Sequence, residues 1–148
     1  MLLTRAADYG IRVMIHLATL PDGERASLPV LAEAAQVPKS FLSKVLQMLT
    51  RASLILSWRG NDGGFQILPA GRTATLHTVI EAVDGPLFVN VCVTSGRACK
   101  RSKHCQAHPV WIEAQDAMIE VLERRTIAQL AATPRTAIKA TPRAAGVH

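Results

Sequence analysis

Between Ser27 and Arg51, two apolar stripes of helical period are separated by only Gln36-Val37-Pro38-Lys39. A connection this short holds two helices together at a fixed crossing. Ser27 is a good N-cap for the first, and Pro29 is tolerated in its opening turn. Its spacing turns Val30, Leu31, Ala34 and Ala35 inward. The second opens at Pro38 or Lys39 and buries Phe41, Leu42, Val45, Leu46 and Leu49 by the same rule. Lys39, Ser40, Ser43, Lys44, Gln47 and Arg51 occupy its other face. Side chains of these types contact phosphates and base edges in a major groove, so the pattern predicts a helix-turn-helix. A plain helical hairpin with a solvated polar face has the same pattern.

The flanking chain narrows the choice. Leu54-Ile55-Leu56-Ser57-Trp58 is β-prone, residues 59–64 form a glycine-rich turn, and Phe65-Gln66-Ile67-Leu68 returns as a second strand. Residues 3–19 precede the pair as an amphipathic helix with Leu3, Ala7, Ile11, Met14, Ile15 and Ala18 on one stripe. Asp8, Arg12 and His16 lie on another face, Asp8 and Arg12 at ion-pair spacing. Three helices followed by a hairpin is the winged-helix order, and Arg59 at the tip of the wing is placed to reach a phosphate or a minor groove. Pro69-Ala70-Gly71 closes the wing. Thr75 caps a fourth helix, Leu76 to Val83, that Asp84-Gly85-Pro86 stops.

All three cysteines fall within the next stretch, spaced Cys92-x6-Cys99-x5-Cys105-x2-His108. Ligands this close in sequence can converge on one metal centre. Arg97, Lys100, Arg101 and Lys103 make the loop electropositive, which favours the thiolate form that binds metal. A disulfide would leave one cysteine over, and buried inert cysteines belong in apolar runs, unlike Cys99 and Cys105. Spacing alone leaves zinc and an iron–sulfur centre equally open, with no metal as the lesser alternative.

After His108 the pattern predicts one long helix to about Leu130. Trp111, Ala114, Met118, Val121 and Arg125 form a seam spaced 3, 4, 3, 4, with Gln115 and Leu122 beside it. Such a seam seeks a partner helix, and a homodimer reading two half-sites is the natural one. From Thr133 the chain loses periodicity and reads as a disordered basic tail. The 148 residues are 49% hydrophobic, enough for one packed domain, and only 4% aromatic, so the core is aliphatic. No apolar run is long enough to span a membrane, and Asp8 and Arg12 interrupt any signal-peptide pattern, so the expected location is cytoplasmic. The net charge of +6 is unevenly placed. Residues 1–75 carry eight Lys and Arg against five Asp and Glu, while residues 76–132 carry six of each. The basic surface belongs to the N-terminal half, as a nucleic-acid reader requires. No substrate pocket motif, phosphate loop or nucleophilic constellation points to an enzyme, and His16, His77 and His104 have no evident partners.

Over residues 1–131 the chain resembles the bacterial iron–sulfur winged-helix regulators typified by IscR and NsrR. The similarity is carried by Leu3-Thr-Arg-Ala-Ala-Asp-Tyr-Gly10, Val37-Pro-Lys-Ser-Phe-Leu-Ser-Lys-Val-Leu46 and Arg59-Gly-Asn-Asp-Gly-Gly-Phe65. Val79-Ile-Glu-Ala-Val-Asp-Gly85, the three cysteines and Arg125-Thr-Ile-Ala-Gln-Leu130 extend it. The resemblance implies a homodimeric regulator of transcription on double-stranded DNA, with a cluster held by Cys92, Cys99 and Cys105, 2Fe-2S ahead of 4Fe-4S. Its fourth ligand is a histidine matching His108 in one type and an aspartate of the partner subunit matching Asp8 in the other. His108 is preferred for its spacing from Cys105. Two positions depart from the family: the first two cysteines are one residue further apart than in IscR, and Ser53 stands where glycine ends the recognition helix. Serine in a left-handed conformation there would cost about 1 kcal/mol.

The expected organisation is a winged helix-turn-helix over residues 1–84, a cluster-binding loop over 85–108, a dimerisation helix over 109–131 and a tail over 132–148. The fold class is mainly α with a small β-hairpin. The expected function is a repressor that senses redox state, nitric oxide or iron–sulfur status. A Cys3His zinc protein acting as a nucleic-acid-binding or adaptor module is the alternative.

Overall fold

A computed structural model of the protein describes residues 3–94, 101 and 104–134. The chain runs through α1 (Arg5–Thr19), α2 (Leu28–Ala35), α3 (Lys39–Arg51), β1 (Ile55–Trp58) and β2 (Gly64–Ile67). It continues through α4 (Pro69–Thr73), α5 (Leu76–Asp84), a 3-10 turn (Val91–Val93), α6 (His108–Glu123) and α7 (Ile127–Ala132). This is the mainly helical winged-helix architecture with one antiparallel hairpin, β1 and β2 pairing Ile55 with Ile67 and Trp58 with Gly64.

Local signals explain most of these boundaries. The Thr4 hydroxyl accepts from the Ala7 N–H and starts α1, and it also donates to Asp84 at 2.6 Å, tying the start of α1 to the end of α5. A capping box between Thr75 and Thr78 starts α5 as its sequence predicts. Gln36 ends α2 in the left-handed region with φ of 56°, and Pro38 then precedes α3. Ser27 stands at the N-cap of α2, but its side chain makes no capping bond.

One aliphatic core joins α1, α2, α3, α5 and the hairpin. Val13, Met14, Leu17, Leu31, Leu42, Val45, Leu46, Leu49, Ile55 and Val79 are at its centre. Burying a side chain of this kind stabilises by roughly 1.5–3 kcal/mol, so this cluster dominates folding. A smaller cluster of Ala7, Ile80 and Leu87, covered by Ile11, Met118 and Leu122, fastens α6 to α1 and α5.

Several expectations need correction. The single helix from 109 to 131 is interrupted: α6 ends at Glu123, Arg124 and Arg125 turn the chain, and α7 restarts at Ile127. The cause is a second capping box, Thr126 with Gln129, together with a long-range bond from the Ile127 N–H to the Ala74 carbonyl at 2.7 Å. Ile127 is then fully buried, which the continuous seam did not foresee. Phe41, assigned to the core by spacing, is 62% exposed because the buried stripe of α3 is centred on Leu42, Val45, Leu46 and Leu49. Val30 likewise faces solvent, and Ala32 takes its place inside. Pro69–Thr73, read as a closing loop, is a short helix whose Arg72 caps the end of α1. Its guanidinium donates to the carbonyls of Ala18 and Leu20 at 3.0 and 2.9 Å and pairs with Asp22.

Candidate nucleic-acid interface and sensor loop

The exposed face of α3 is the first candidate surface. Lys39, Ser40, Lys44 and Gln47 stand on it in solvent, set there because Leu42, Val45, Leu46 and Leu49 anchor the opposite side. Phe41 adds an exposed apolar ring beside them, a group able to meet a thymine methyl. Ser43 is half-buried, and its hydroxyl donates to the Lys39 carbonyl at 3.1 Å, so its donor is engaged within the helix. Helix α3 ends through Ser53, whose φ of 56° is the left-handed conformation that the missing glycine would have adopted freely.

The wing carries a second contact region. Arg59 is exposed at the turn between β1 and β2. What holds this turn lies outside the hairpin, in a residue the sequence did not flag. The Arg25 guanidinium sits 4.2 Å from the centroid of the Trp58 ring and donates to the Asp62 carbonyl at 3.3 Å. Next to it, Ala26 pairs with Phe65 through two backbone hydrogen bonds of 3.0 and 2.9 Å. The loop before α2 thus acts as a third strand residue on the wing. An Arg in the loop between two predicted helices offered no periodic signal. Its stacking on Trp58 and its bond to the Asp62 carbonyl give it a role.

The cysteine-bearing stretch follows α5. Cys92 lies half-buried in the 3-10 turn, and Cys105 is exposed just before α6; both are free thiols. Cys99 and the neighbouring Arg97, Lys100 and Lys103 lie outside the described residues, as does the tail from residue 135. His108 is the first residue of α6, with its backbone N–H on the Cys105 carbonyl at 3.1 Å. Its Nδ1 is buried and has no hydrogen-bond partner among the described residues. An orphaned buried ring nitrogen three residues from a free thiol suits a metal ligand, since an unpaired buried polar atom costs about 1–3 kcal/mol. The donor set of thiols and an imidazole therefore fits an iron–sulfur centre or zinc. Among the described residues, no three His, Cys, Asp or Glu side chains converge. Asp8 pairs with Arg12 at 2.7 Å on α1, as its spacing predicts.

Helix α6 secures the approach to this loop. Gln115, the buried polar side chain of the core, bonds the main chain at Leu87 and Val89. His77 is not the ordinary surface histidine expected. Its side chain is 14% exposed, with Nδ1 at 2.9 Å from Glu123 and Nε2 at 3.5 Å from Glu81, joining α5 to the end of α6. Val110, Trp111, Ile112 and Val121 remain exposed along α6. Among the described residues no helix is long and apolar enough to cross a membrane.

Comparison with known proteins adds identity to this geometry. The Rrf2 family model, described as an iron-dependent transcriptional regulator, matches residues 3–133. Among solved structures, the global cysteine regulator CymR of B. subtilis is 26% identical with a TM-score of 0.69, over 88% of this chain and 96% of its own. CymR of Staphylococcus aureus is 28% identical with a TM-score of 0.68, over 88% of this chain and 98% of its own. IscR of T. potens shares the fold, with 22% identity and a TM-score of 0.69 over 88% of this chain and 85% of its own. Since the match spans nearly every described residue, the chain belongs to the Rrf2 family of transcriptional regulators.

Proposed function

We propose that the chain is a homodimeric repressor of the cytoplasm whose affinity for a double-stranded operator is gated by an iron–sulfur cluster. The observation that carries the reading is the buried, unpaired Nδ1 of His108 beside the free thiol of Cys105. Cys92, Cys99 and Cys105 would hold the cluster, 2Fe-2S in preference to 4Fe-4S. His108 is the fourth ligand favoured over Asp8 of the partner subunit, because of its spacing from Cys105 and its buried, unpaired Nδ1. Bound there, a cluster supplies reactivity toward oxidants and nitric oxide.

The chain's own residues do the rest. Lys39, Ser40, Ser43, Lys44 and Gln47 face the major groove, Ser43 after releasing the Lys39 carbonyl, and Arg59 reaches the backbone or minor groove. The exposed apolar side chains of α6 form the seam with a second copy. Gln115 couples the two ends: when the sensor loop rearranges, the segment at Leu87 and Val89 transmits the change to α6, and so to the spacing of the two recognition helices.

Anaerobic purification with iron and sulfide counting tests the ligands in wild type, Cys92→Ser, His108→Ala and Asp8→Ala. Iron is expected in wild type and Asp8→Ala, and lost in the other two. Titration of an operator selected in vitro, at one salt concentration, should separate cluster-loaded from cluster-free protein. Equal affinity of the two forms sinks the gating. A second reading, thiol-based sensing without a cluster, is favoured by the similarity to CymR, one of whose structures is described as an oxidized form. Iron-free protein whose operator affinity changes on oxidation would select it.

A further inference from the structure

Between α1, the end of α2 and α7 lies an open cavity of about 660 Å³. Its volume falls within the roughly 300–1,000 Å³ typical of small-molecule sites. Ile15, Ala35, Leu130 and Ala131 give it apolar walls, and Arg12 and Arg125 line it with guanidinium groups. Among the described residues no Asp or Glu lines the cavity itself. Arg125 makes no ion pair among the described residues, whereas its neighbour Arg124 is paired with Glu120. Arg12 is already engaged, with Nη2 on the Asp8 carboxylate at 2.7 Å and Nη1 on the Ala35 carbonyl at 3.4 Å, so Arg125 is the cavity's unpaired cation among the described residues.

We propose that this cavity binds a small organic monocarboxylate with an apolar body, and that its occupancy is a second input to the regulator. The acid group is met by Arg125 and the body by Ile15 and Leu130. The C-terminal segment is a poor occupant, because Arg135, Lys139 and Arg143 repel the same guanidinium groups. Consequences for the reader follow from what the cavity touches. Gln36, the left-handed residue that turns α2 into α3, is part of the wall, and Arg125 lies in the break between α6 and α7. A ligand there contacts the recognition-helix turn and the C-terminal helices at once, so binding and DNA affinity are thermodynamically linked. That linkage rests on the DNA-binding reading; the binding of the acid does not.

Calorimetric titration of the full-length protein with benzoate, hexanoate and indole-3-acetate, and with inorganic phosphate, tests the site. One acid or more should saturate at one per chain. Arg125→Ala should weaken it by about tenfold, the loss of a charge-assisted hydrogen bond, with an unchanged circular dichroism spectrum. Ala131→Trp, which fills the cavity, should abolish it. Failure of all three acids to saturate, or wild-type affinity in both variants, overturns the proposal. Phosphate binding as tightly as the acids overturns it too, by showing a bare anion site. Operator affinity that is unmoved by a saturating acid removes the second input. A protein that binds the acid but no DNA at all counts against the DNA-binding reading instead.

Discussion

The side-chain amide of Gln115 donates to the backbone carbonyl of Leu87 at 2.6 Å, and its oxygen accepts from the Val89 N–H at 2.8 Å. One buried side chain thus completes the hydrogen bonding of an irregular segment that has no sheet or helix of its own to do so. It also fixes where the cysteine-bearing stretch leaves the winged helix. Gln115→Leu keeps the volume but strands both backbone groups. Urea unfolding should show a loss of about 1–3 kcal/mol, and wild-type stability would mean that water or a shifted segment satisfies them.

Ser53 adopts φ of 56° after α3, donates its N–H to the Thr50 carbonyl, and is followed by a bond from the Leu54 N–H to the Leu49 carbonyl. The left-handed conformation strains a side chain by about 1–2 kcal/mol, partly offset by the extra unfolded-state entropy of glycine. Ser53→Gly should therefore stabilise by ~0.5–1 kcal/mol, raising the melting temperature by a few degrees with no change in secondary structure.

Gly71 in α4 has the opposite constraint, arising from space and not from φ. A Cβ there would overlap the Leu54 carbonyl oxygen and crowd the Ile67 side chain and the Met14 methyl. The Leu54 carbonyl already accepts from the Leu68 N–H at 3.0 Å, so it cannot move without breaking the base of the wing. Gly71→Ala is expected to lose at least about 3 kcal/mol in denaturant titration. A loss below 1 kcal/mol would show that α4 can shift away.

Arg25 is a positioning residue for the wing in the DNA-binding reading. Its stacking on Trp58 and its bond to the Asp62 carbonyl hold the turn that presents Arg59. Arg25→Ala should weaken operator binding by several-fold while leaving the salt slope intact, because no phosphate contact is removed. On an Arg59→Ala background the same change should have little further effect. A shallower salt slope would identify Arg25 as a phosphate contact itself.

The helix-turn-helix was legible because its signals are local. Alternating apolar positions at helical spacing, Pro38, and the glycine-rich turn after Trp58 act within a few residues of themselves. The same holds for Thr75 as a cap and for the Asp8–Arg12 pair. Even the break at Thr126 had a local sign, the Thr-x-x-Gln capping box, which a continuous apolar seam obscured.

Other features came only with the tertiary structure. Which residues of a helix are buried depends on what faces them, so Phe41 ended outside and Ile127 inside. Arg25 found Trp58, His77 found Glu123, and Gln115 found Leu87 across separations no periodicity reports. The candidate ligands divide in the same way. Spacing named Cys92, Cys99, Cys105 and His108 and already preferred His108 to Asp8, while only the fold shows that His108 Nδ1 is buried without a partner among the described residues. Sequence period encodes the backbone ladder of each element, whereas partners are chosen by the three-dimensional approach of elements far apart in the chain.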